Sequence, residues 1–260
     1  VIQSNEACDD ANAVETDYCS NDCATVLGSC GDGAVQSNEQ CDDSNAVGGD
    51  YCAGDCQANT GSCGDGIQQT NEAWFTHTPG LKVVYPSNPS DAKGLLLSAF
   101  EDPNPVLFFE HKGMYRSEVS DVSSSYYNVE IGKGTYAKQG TDMTIITYGM
   151  GVHWAVNLCD EKSINADIID LRSLQPIDYE IIAESVKNTH RVIILHEDNL
   201  FGGLGGEISA HISEHLFEYL DAPVMRVGSL DTPIPFASEL EKQYMANSRL
   251  EEAVNKLLNY

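Results

Sequence analysis

Eight cysteines in the first 71 residues are the side chains best suited to covalent or metal bonding. They form two sets of four that repeat with a period of 33 residues. The region has no histidine, and within each set three, six or ten residues separate consecutive cysteines, unlike the two-residue knuckles of a zinc ribbon. So small a unit, with few apolar residues, needs disulfides or metal ions for stability. We therefore predict disulfides, with the pairing open and zinc as the alternative, among Cys8, Cys19, Cys23, Cys30, Cys41, Cys52, Cys56 and Cys63.

Two acidic segments in the same repeats have residues that bind hard cations. Residues 9–13 and 42–46 each contain paired aspartates and an asparagine. Their oxygens are ligands of the kind that calcium prefers. The simpler interpretation, which we favour, is that Asp and Asn serve as turn residues. A third repeat begins near Gln69 but has Trp74 where the next cysteine is due.

Three features of the remaining chain contain residues that could do chemistry. His196, Glu197 and Asp198 end an apolar run, and function in open α/β sheets lies at strand ends. A lone His–Glu pair is more often structural, however. The glycines of 202–206 lack the P-loop and dinucleotide-binding patterns and predict close packing of a helix rather than a phosphate site. Cys159 lies on an apolar helix stripe and is expected to be inert core.

Composition divides the chain near residue 71. Residues 1–71 contain no Lys or Arg, whereas residues 72–260 contain all 14 and only one of the nine cysteines. The formal net charge of −26 argues against a nucleic-acid partner and suits a basic partner, bound cations or simply a solvated acidic surface. No apolar run is long enough for a transmembrane helix, so no membrane association is expected. The start at Val1, inside a repeat, suggests a fragment or a processed product.

Apolar runs of strand length alternate with helical stripes after residue 80. Strands are predicted at 81–85, 105–110, 143–148, 166–171, 191–196 and 222–227. The helical spacing of apolar residues from Val152 to Cys159 predicts one helix. A longer helix is predicted after Gly206, with an apolar stripe from Ile208 to Leu220. Prolines 233 and 235 indicate a loop before a short helical C-terminus. The alternation predicts an α/β fold of three layers with a mostly parallel sheet, preceded by small disulfide-rich repeats.

Long motifs after residue 71 resemble the β subunit of the thiamine-diphosphate-dependent 2-oxo acid dehydrogenases of the branched-chain and pyruvate type. They lie at residues 72–87, 91–96, 104–110, 144–149, 152–153, 168–178 and 220–227. The resemblance implies that residues 72–115 are a remnant of the pyrimidine-binding domain. Residues 116–129 would be a linker, and 130–260 a transketolase C-terminal-like domain.

The same resemblance implies a part in oxidative decarboxylation with acyl transfer to lipoamide. In that family thiamine diphosphate and magnesium are bound with the α subunit, and an activating glutamate and a catalytic histidine lie upstream of the position matching Glu72. Those positions are occupied here by the repeats. We therefore assign no catalytic or cofactor-binding residue and expect the chain to be inactive alone. His77 is interpreted as structural.

Further expectations from the resemblance concern an ion and the partners. The family has a potassium ion bound by backbone carbonyls of the stretch matching Ala99, Asp102 and Asn104. The partners would be an α subunit, a second β subunit, and the subunit-binding domain of a lipoyl acyltransferase core. That small basic module would dock on an acidic C-terminal surface that contains Glu239, Glu241, Glu251 and Glu252.

Residues 1–71 resemble the Myxococcus-type cysteine-rich repeat, which implies an extracellular spacer or adhesion role. The dehydrogenase resemblance implies the cytoplasm or mitochondrial matrix, so the two halves conflict in compartment. Two alternatives to an enzyme subunit therefore stay open: a secreted cysteine-rich module with an unrelated α/β tail, or a non-biological fusion. We also expect residues 1–71 not to pack on the rest of the chain, and residues 72–115 to leave Leu81, Val83, Leu107 and Phe109 exposed because the other strands of their domain are missing.

Overall fold

The computed structural model describes residues 75–235 and 237–260, which lie in a compact unit that runs from Gly66 to Tyr260. The predicted disulfides and calcium segments lie outside the described residues. The boundaries expected at residues 71, 115 and 129 stay predictions.

Sixteen elements follow one another in the described part of the chain. The strands are β1 (Lys82–Val84), β2 (Val106–Phe108), β3 (Thr135–Lys138), β4 (Thr144–Thr147), β5 (Asp167–Asp170), β6 (Ser173–Gln175), β7 (Val192–Asn199) and β8 (Met225–Ser229). The helices are α1 (Pro89–Glu101), α2 (Met114–Ser117), α3 (Met150–Lys162), α4 (Tyr179–Thr189), α5 (Leu204–His215), a 3-10 helix (Phe217–Tyr219), α6 (Ser238–Tyr244) and α7 (Asn247–Leu258).

A five-stranded sheet forms the centre of the C-terminal domain, which we take as residues 130–260. Its order is β3-β5-β4-β7-β8, and every neighbouring pair is parallel except β3 with β5. The predicted mostly parallel sheet is therefore confirmed. Each of the six predicted strands is present, in most cases shorter than its apolar run. Strands β3 and β6 were not predicted, because neither is a continuous apolar run.

Paired isoleucines on adjacent strands show why this sheet is covered on both faces. Ile145, Ile168 and Ile193 are in register and pack with α3 and α7, as the buried Cys159 and Leu250 illustrate. The next residue of each strand, Ile146, Ile169 and Ile194, points the other way and packs with α4 and α5. All six isoleucines are at most 1% exposed. The three-layer α/β fold is thus confirmed.

Helix α5 differs from the predicted helix at both ends. It begins at Leu204, inside the glycine cluster, and ends at His215, after which the 3-10 helix turns the chain. A Cβ at Gly205 would lie 2.5 Å from Nε2 of His196, so only glycine permits this approach of the helix to β7. The expected packing role of the glycines is confirmed, and Ile208, Ile212 and Leu216 are buried as predicted.

The N-terminal segment, residues 82–118, is a strand–helix–strand unit joined to the C-terminal domain by its first strand. Strand β1 pairs in parallel with β2 and antiparallel with β6, so it is the central strand of a three-stranded sheet. The expectation that Val83 would be exposed is wrong: it is 0% exposed because β6 covers the edge of β1. Leu81, Leu107 and Phe109 are partly buried against the same core.

Residues 119–134 connect the two parts and run back along α1. The Tyr127 hydroxyl donates to the carbonyl of Ser90 (2.9 Å), and the Ser98 hydroxyl donates to that of Val129 (2.6 Å). A Cβ on Gly94 would collide with Val129, so glycine lets the connection lie close to the helix. In the part of the chain that the structure describes, none of the helices is both long and apolar enough to span a bilayer.

Candidate functional site

The most polar buried region lies where the N-terminal segment meets the carboxyl edge of the five-stranded sheet. We call it the junction cluster. It consists of Tyr85, Ser87, His111, His153, Asp170 and Glu197.

Glu197 forms the centre of one half of the cluster. Its side chain, from β7, is buried, and its Oε2 accepts a hydrogen bond of 3.0 Å from the hydroxyl of Tyr85. Its Oε1 lies 3.3 Å from Nε2 of His111, which is 3% exposed. Tyr85 follows β1 and His111 lies three residues after β2, so one carboxylate of the C-terminal domain contacts the residues that follow both strands of the N-terminal segment.

Asp170 forms the centre of the other half. It is the last residue of β5, it is 1% exposed, and its Oδ2 accepts a hydrogen bond from the Ser87 hydroxyl. Its Oδ1 accepts one from the backbone N–H of Arg172 (3.0 Å). Burial outweighs these hydrogen bonds and raises the pKa of Asp170 from 3.8 to about 7. This carboxyl therefore changes its charge near neutral pH.

Arg172 and His153 extend the contacts around Asp170. The Arg172 guanidinium donates to Asp91 Oδ1 on α1 (3.0 Å) and to the carbonyls of Lys133 and Gly134 (3.1 Å each). This planar fork links α1, the connecting segment and the end of β5. Nε2 of His153, in the first turn of α3, lies 2.7 Å from the carbonyl oxygen of Ser87 and donates to it, and its Nδ1 lies 3.4 Å from Glu118.

A cavity of about 360 Å³ opens beside the cluster, within the size range of small-molecule pockets. It is lined by Pro86, Ser87, Asn88, Pro89, Ala92, Glu110, His111, Met114, Tyr115 and Glu118. Two carboxylates and no Lys or Arg line it, so it suits a neutral or cationic group better than a diphosphate.

The triplet of His196, Glu197 and Asp198 does not act as one unit. Adjacent side chains of a strand point to opposite faces, so Glu197 joins the junction while His196 faces α5. Nδ1 of His196 donates to the carbonyl of Asp198 (2.9 Å), and burial lowers its pKa to about 4. Within the described residues Nε2 of His196 has no hydrogen-bond partner. A neutral, packed histidine agrees with the structural interpretation of this pair.

The remaining candidates from the sequence lie away from the junction cluster. Cys159 is fully buried, and burial raises the pKa of its thiol, as expected of inert core. His77 is exposed in a turn before β1, so the structure gives no support for a packing role. The three residues of the expected potassium site, Ala99, Asp102 and Asn104, lie at the C-terminal end of α1. There Asp102 caps the helix, and its Oδ1 accepts a hydrogen bond from the backbone N–H of Asn104 (2.9 Å).

The described residues do not by themselves fit thiamine diphosphate. The cofactor needs a cation site and positive groups for its diphosphate. Within the described part there is no cluster of three or more His, Cys, Asp or Glu side chains able to hold a metal ion, and the cavity beside the junction is acidic. No step of chemistry is therefore assigned to the cofactor on this chain.

Family models match both parts of the described fold. Residues 67–118 match the transketolase pyrimidine-binding domain, and residues 132–249 match the transketolase C-terminal domain. Residues 27–57 match a domain of unknown function, DUF4215. A solved split-gene transketolase, described as an inactive β4 tetramer, superposes with a TM-score of 0.59 at 29% identity, covering 72% of this chain and 60% of that one. By these matches the described fold is of the transketolase type, with residues similar to a C-terminal domain joined to residues similar to part of a pyrimidine-binding domain.

The curated relatives are more specific. The chain is 46% identical over 194 residues to the mitochondrial 2-oxoisovalerate dehydrogenase subunit β of Dictyostelium discoideum, covering 73% of this chain and 52% of the relative. It is 42% identical to the corresponding Bacillus subtilis subunit and 39% identical to the pyruvate dehydrogenase E1 β subunit of that organism, each covering 73% of this chain and 59% of the relative. The resemblance to the β subunits of 2-oxo acid dehydrogenases is thus confirmed, and the chain spans between half and three fifths of these relatives.

Sequence reasoning did not find the junction cluster. Its members are single polar residues at the ends of five different elements, separated by up to 112 positions, as for Tyr85 and Glu197. One signal was available: polar residues follow predicted strands within two positions at Ser87, His111 and Glu197. Without the antiparallel pairing of β1 with β6, their meeting point was not predictable.

Proposed function

We propose that residues 67–260 serve as part of the β subunit of a 2-oxo acid dehydrogenase, in the component that decarboxylates the substrate. The observation that carries this proposal is 46% identity to a 2-oxoisovalerate dehydrogenase β subunit over 194 residues. A branched-chain 2-oxo acid is the favoured substrate, with pyruvate as the alternative because of the 39% identity to a pyruvate dehydrogenase subunit. The reaction is oxidative decarboxylation followed by acyl transfer to lipoamide, and it takes place in the assembled complex.

In this proposal the chain contributes architecture rather than reacting groups. The junction cluster holds the pyrimidine-binding segment against the C-terminal domain through buried polar contacts. Thiamine diphosphate and magnesium would be bound in the assembly with the α subunit, and this chain alone would be inactive. The α subunit and a second β subunit are the proposed partners, in the cytoplasm or the mitochondrial matrix.

Assembly is the direct test of this proposal. The chain is mixed with an α subunit of 2-oxoisovalerate dehydrogenase, and the mass of the product is measured by light scattering after size exclusion. We expect a complex that contains both chains, and no thiamine diphosphate heat signal in calorimetry of this chain alone. Failure to form any complex, or micromolar cofactor binding by the isolated chain, would contradict it.

We also propose that a potassium ion binds at the C-terminal end of α1. Residue 103 is a proline, so it has no N–H to donate to the carbonyl of Ala99 four positions earlier. That carbonyl is thereby left for another partner beside Asp102 and Asn104. Raising KCl at constant ionic strength, with NaCl as the control, should slow hydrogen exchange in residues 97–106. Equal protection in both salts would argue against the site.

The C-terminal surface is proposed to dock the basic subunit-binding domain of an acyltransferase. Glu251 already pairs with Lys162 (2.6 Å) and Glu239 with Lys242 (2.7 Å), while Arg249 donates to the carbonyls of Gly228 and Tyr244. Glu252 is exposed, so replacing it tests docking more sharply than replacing the paired Glu251 or Glu239. Glu252→Lys should weaken docking at low salt and have less effect at high salt, because rim charges act mainly on encounter. Glu214→Lys, on α5, is the matched control.

A further inference from the structure

Helix α5 contains two histidines one turn apart, in the sequence His-Ile-Ser-Glu-His at residues 211–215. Side chains four residues apart lie on the same helix face. The imidazole centroids of His211 and His215 are 4.4 Å apart, with ring planes tilted by 56°. The two rings therefore meet side by side on the outer surface of the C-terminal domain, away from the junction cluster.

Neighbouring groups contact both rings. Tyr179, the first residue of α4, stacks on His211 with centroids 3.7 Å apart and planes within 20° of parallel. This contact covers one face of the His211 ring but not its nitrogen-bearing edge. Oε2 of Glu214 lies 3.9 Å from Nε2 of His215, which leaves Nδ1 of that ring for another partner. In metal-bound histidines the far ring nitrogen usually donates a hydrogen bond to a carboxylate or carbonyl, and Glu214 is a carboxylate close to that nitrogen here.

We propose that His211 and His215 form a surface site for a divalent transition-metal ion of the zinc, nickel or copper class. Imidazole is a preferred ligand of these ions. Two nitrogens at about 2.0–2.1 Å from one ion lie roughly 3 Å apart. Rings whose centroids are already 4.4 Å apart reach that spacing by small side-chain rotations. Water completes the coordination, and the net charge of −26 favours cations near the surface.

The site is a binding site and not a hydrolytic centre. One group of zinc peptidases uses the same His-x-x-Glu-His spacing, but zinc enzymes generally hold the metal with three protein ligands in a cleft. Within the described residues no third His, Cys, Asp or Glu converges on the two histidines. Two imidazoles on an exposed helix bind an ion but provide no substrate pocket.

Calorimetric titration of the full chain with zinc chloride, and separately with nickel chloride, tests the site. Accessible thiols are first alkylated under native conditions, so that cysteines of the repeats do not compete. The variants are His211→Gln, His215→Gln, both together, and His77→Gln, a control that removes a histidine exposed in a turn. The parent should bind one more ion than the double variant, and each single variant should bind at least about tenfold more weakly.

Two results would overturn the proposal: equal stoichiometry and affinity in the parent and the double variant, or a loss in His77→Gln as large as that in His215→Gln. The His215 side chain is 55% exposed, so its replacement leaves the core unchanged. Thermal unfolding supplies a second readout. Zinc should raise the midpoint of the parent but not that of His215→Gln.

Discussion

The C-terminal domain and the N-terminal segment are stabilised by different interactions. In the C-terminal domain the central strands present an isoleucine to each helical layer, and these side chains are almost completely buried. In the N-terminal segment Val83 and Val84 of β1 are buried and β2 is a half-buried edge. Its contact to the rest of the chain combines apolar packing and the β1–β6 pairing with hydrogen bonds to buried Glu197 and Asp170. Apolar burial tolerates changes of pH, whereas a buried polar junction depends on protonation and on each donor being present.

The largest expected effect comes from creating a cavity in the core of the three-layer C-terminal domain. Ile146→Ala should lower the free energy of unfolding by about 3 kcal/mol, because Ile146 is fully buried beside Ile169 and Ile194. The matched control is Val106→Ala on the half-buried edge strand β2, which should cost about 1 kcal/mol. Urea denaturation followed by far-UV circular dichroism measures both. Equal losses would show that the two regions are packed alike, which would remove the contrast.

The pH response of Asp170 gives the next largest effect. Its pKa is raised to about 7 in the folded chain, so the folded state binds the proton more tightly than the unfolded state does. The resulting stabilisation is fully present below about pH 4, falls as the pH rises, and is lost above about pH 7. Asp170→Asn removes this dependence and can still accept the Ser87 hydrogen bond.

The stability gain of Asp170→Asn over the parent should therefore grow between pH 5 and pH 8, by about 2 to 3 kcal/mol at 1.36 kcal/mol per pKa unit. The variant is compared with the parent because His196 adds the same pH dependence to both proteins. Burial lowers the pKa of His196 to about 4, so the folded chain loses stability as the pH falls below about 6.5. Asp221→Asn, at an exposed position, is the control. A difference that does not change with pH would mean that Asp170 stays ionised.

Tyr85→Phe tests the other half of the junction. It removes the hydroxyl that donates to buried Glu197 and should cost about 1 to 3 kcal/mol, since the carboxylate loses a donor that water cannot replace. Amide exchange should accelerate in residues 82–118 and remain unchanged in residues 144–147. Tyr126→Phe is the control, because that hydroxyl is exposed and donates to Glu101 at the surface. Faster exchange throughout the chain would mean that both regions unfold as one unit.

The C-terminal domain was largely predictable from sequence, and the junction was not. Adjacent isoleucines in short apolar runs, as at 145–146 and 168–169, indicate strands buried on both faces, and alternation with helices then requires a parallel sheet. Strand β6 has only three residues and no such run, yet its pairing with β1 determines where the N-terminal segment lies. The expected exposure of Val83 was wrong for this reason. Contacts such as Ser87 with Asp170 depend on that pairing and leave no local pattern.

The smallest predicted effect comes from a single histidine at the junction. Nε2 of His153 donates to the carbonyl of Ser87 at 2.7 Å, and the side chain is about a quarter exposed, so water partly replaces the bond when it is lost. His153→Ala should cost about 1 kcal/mol, and His153→Gln should recover most of it because its amide can donate to the same carbonyl.

The matched control is His190→Asn in the C-terminal domain, where Nδ1 of His190 donates to the carbonyl of Tyr219 at 2.8 Å. Asparagine tolerates the positive φ of that residue. Mass-spectrometric hydrogen exchange should show faster amides at residues 86–93 in His153→Ala and not in His190→Asn. The same acceleration in both variants would indicate that the junction has no separate stability, and the contrast between the two regions would then hold for their packing alone.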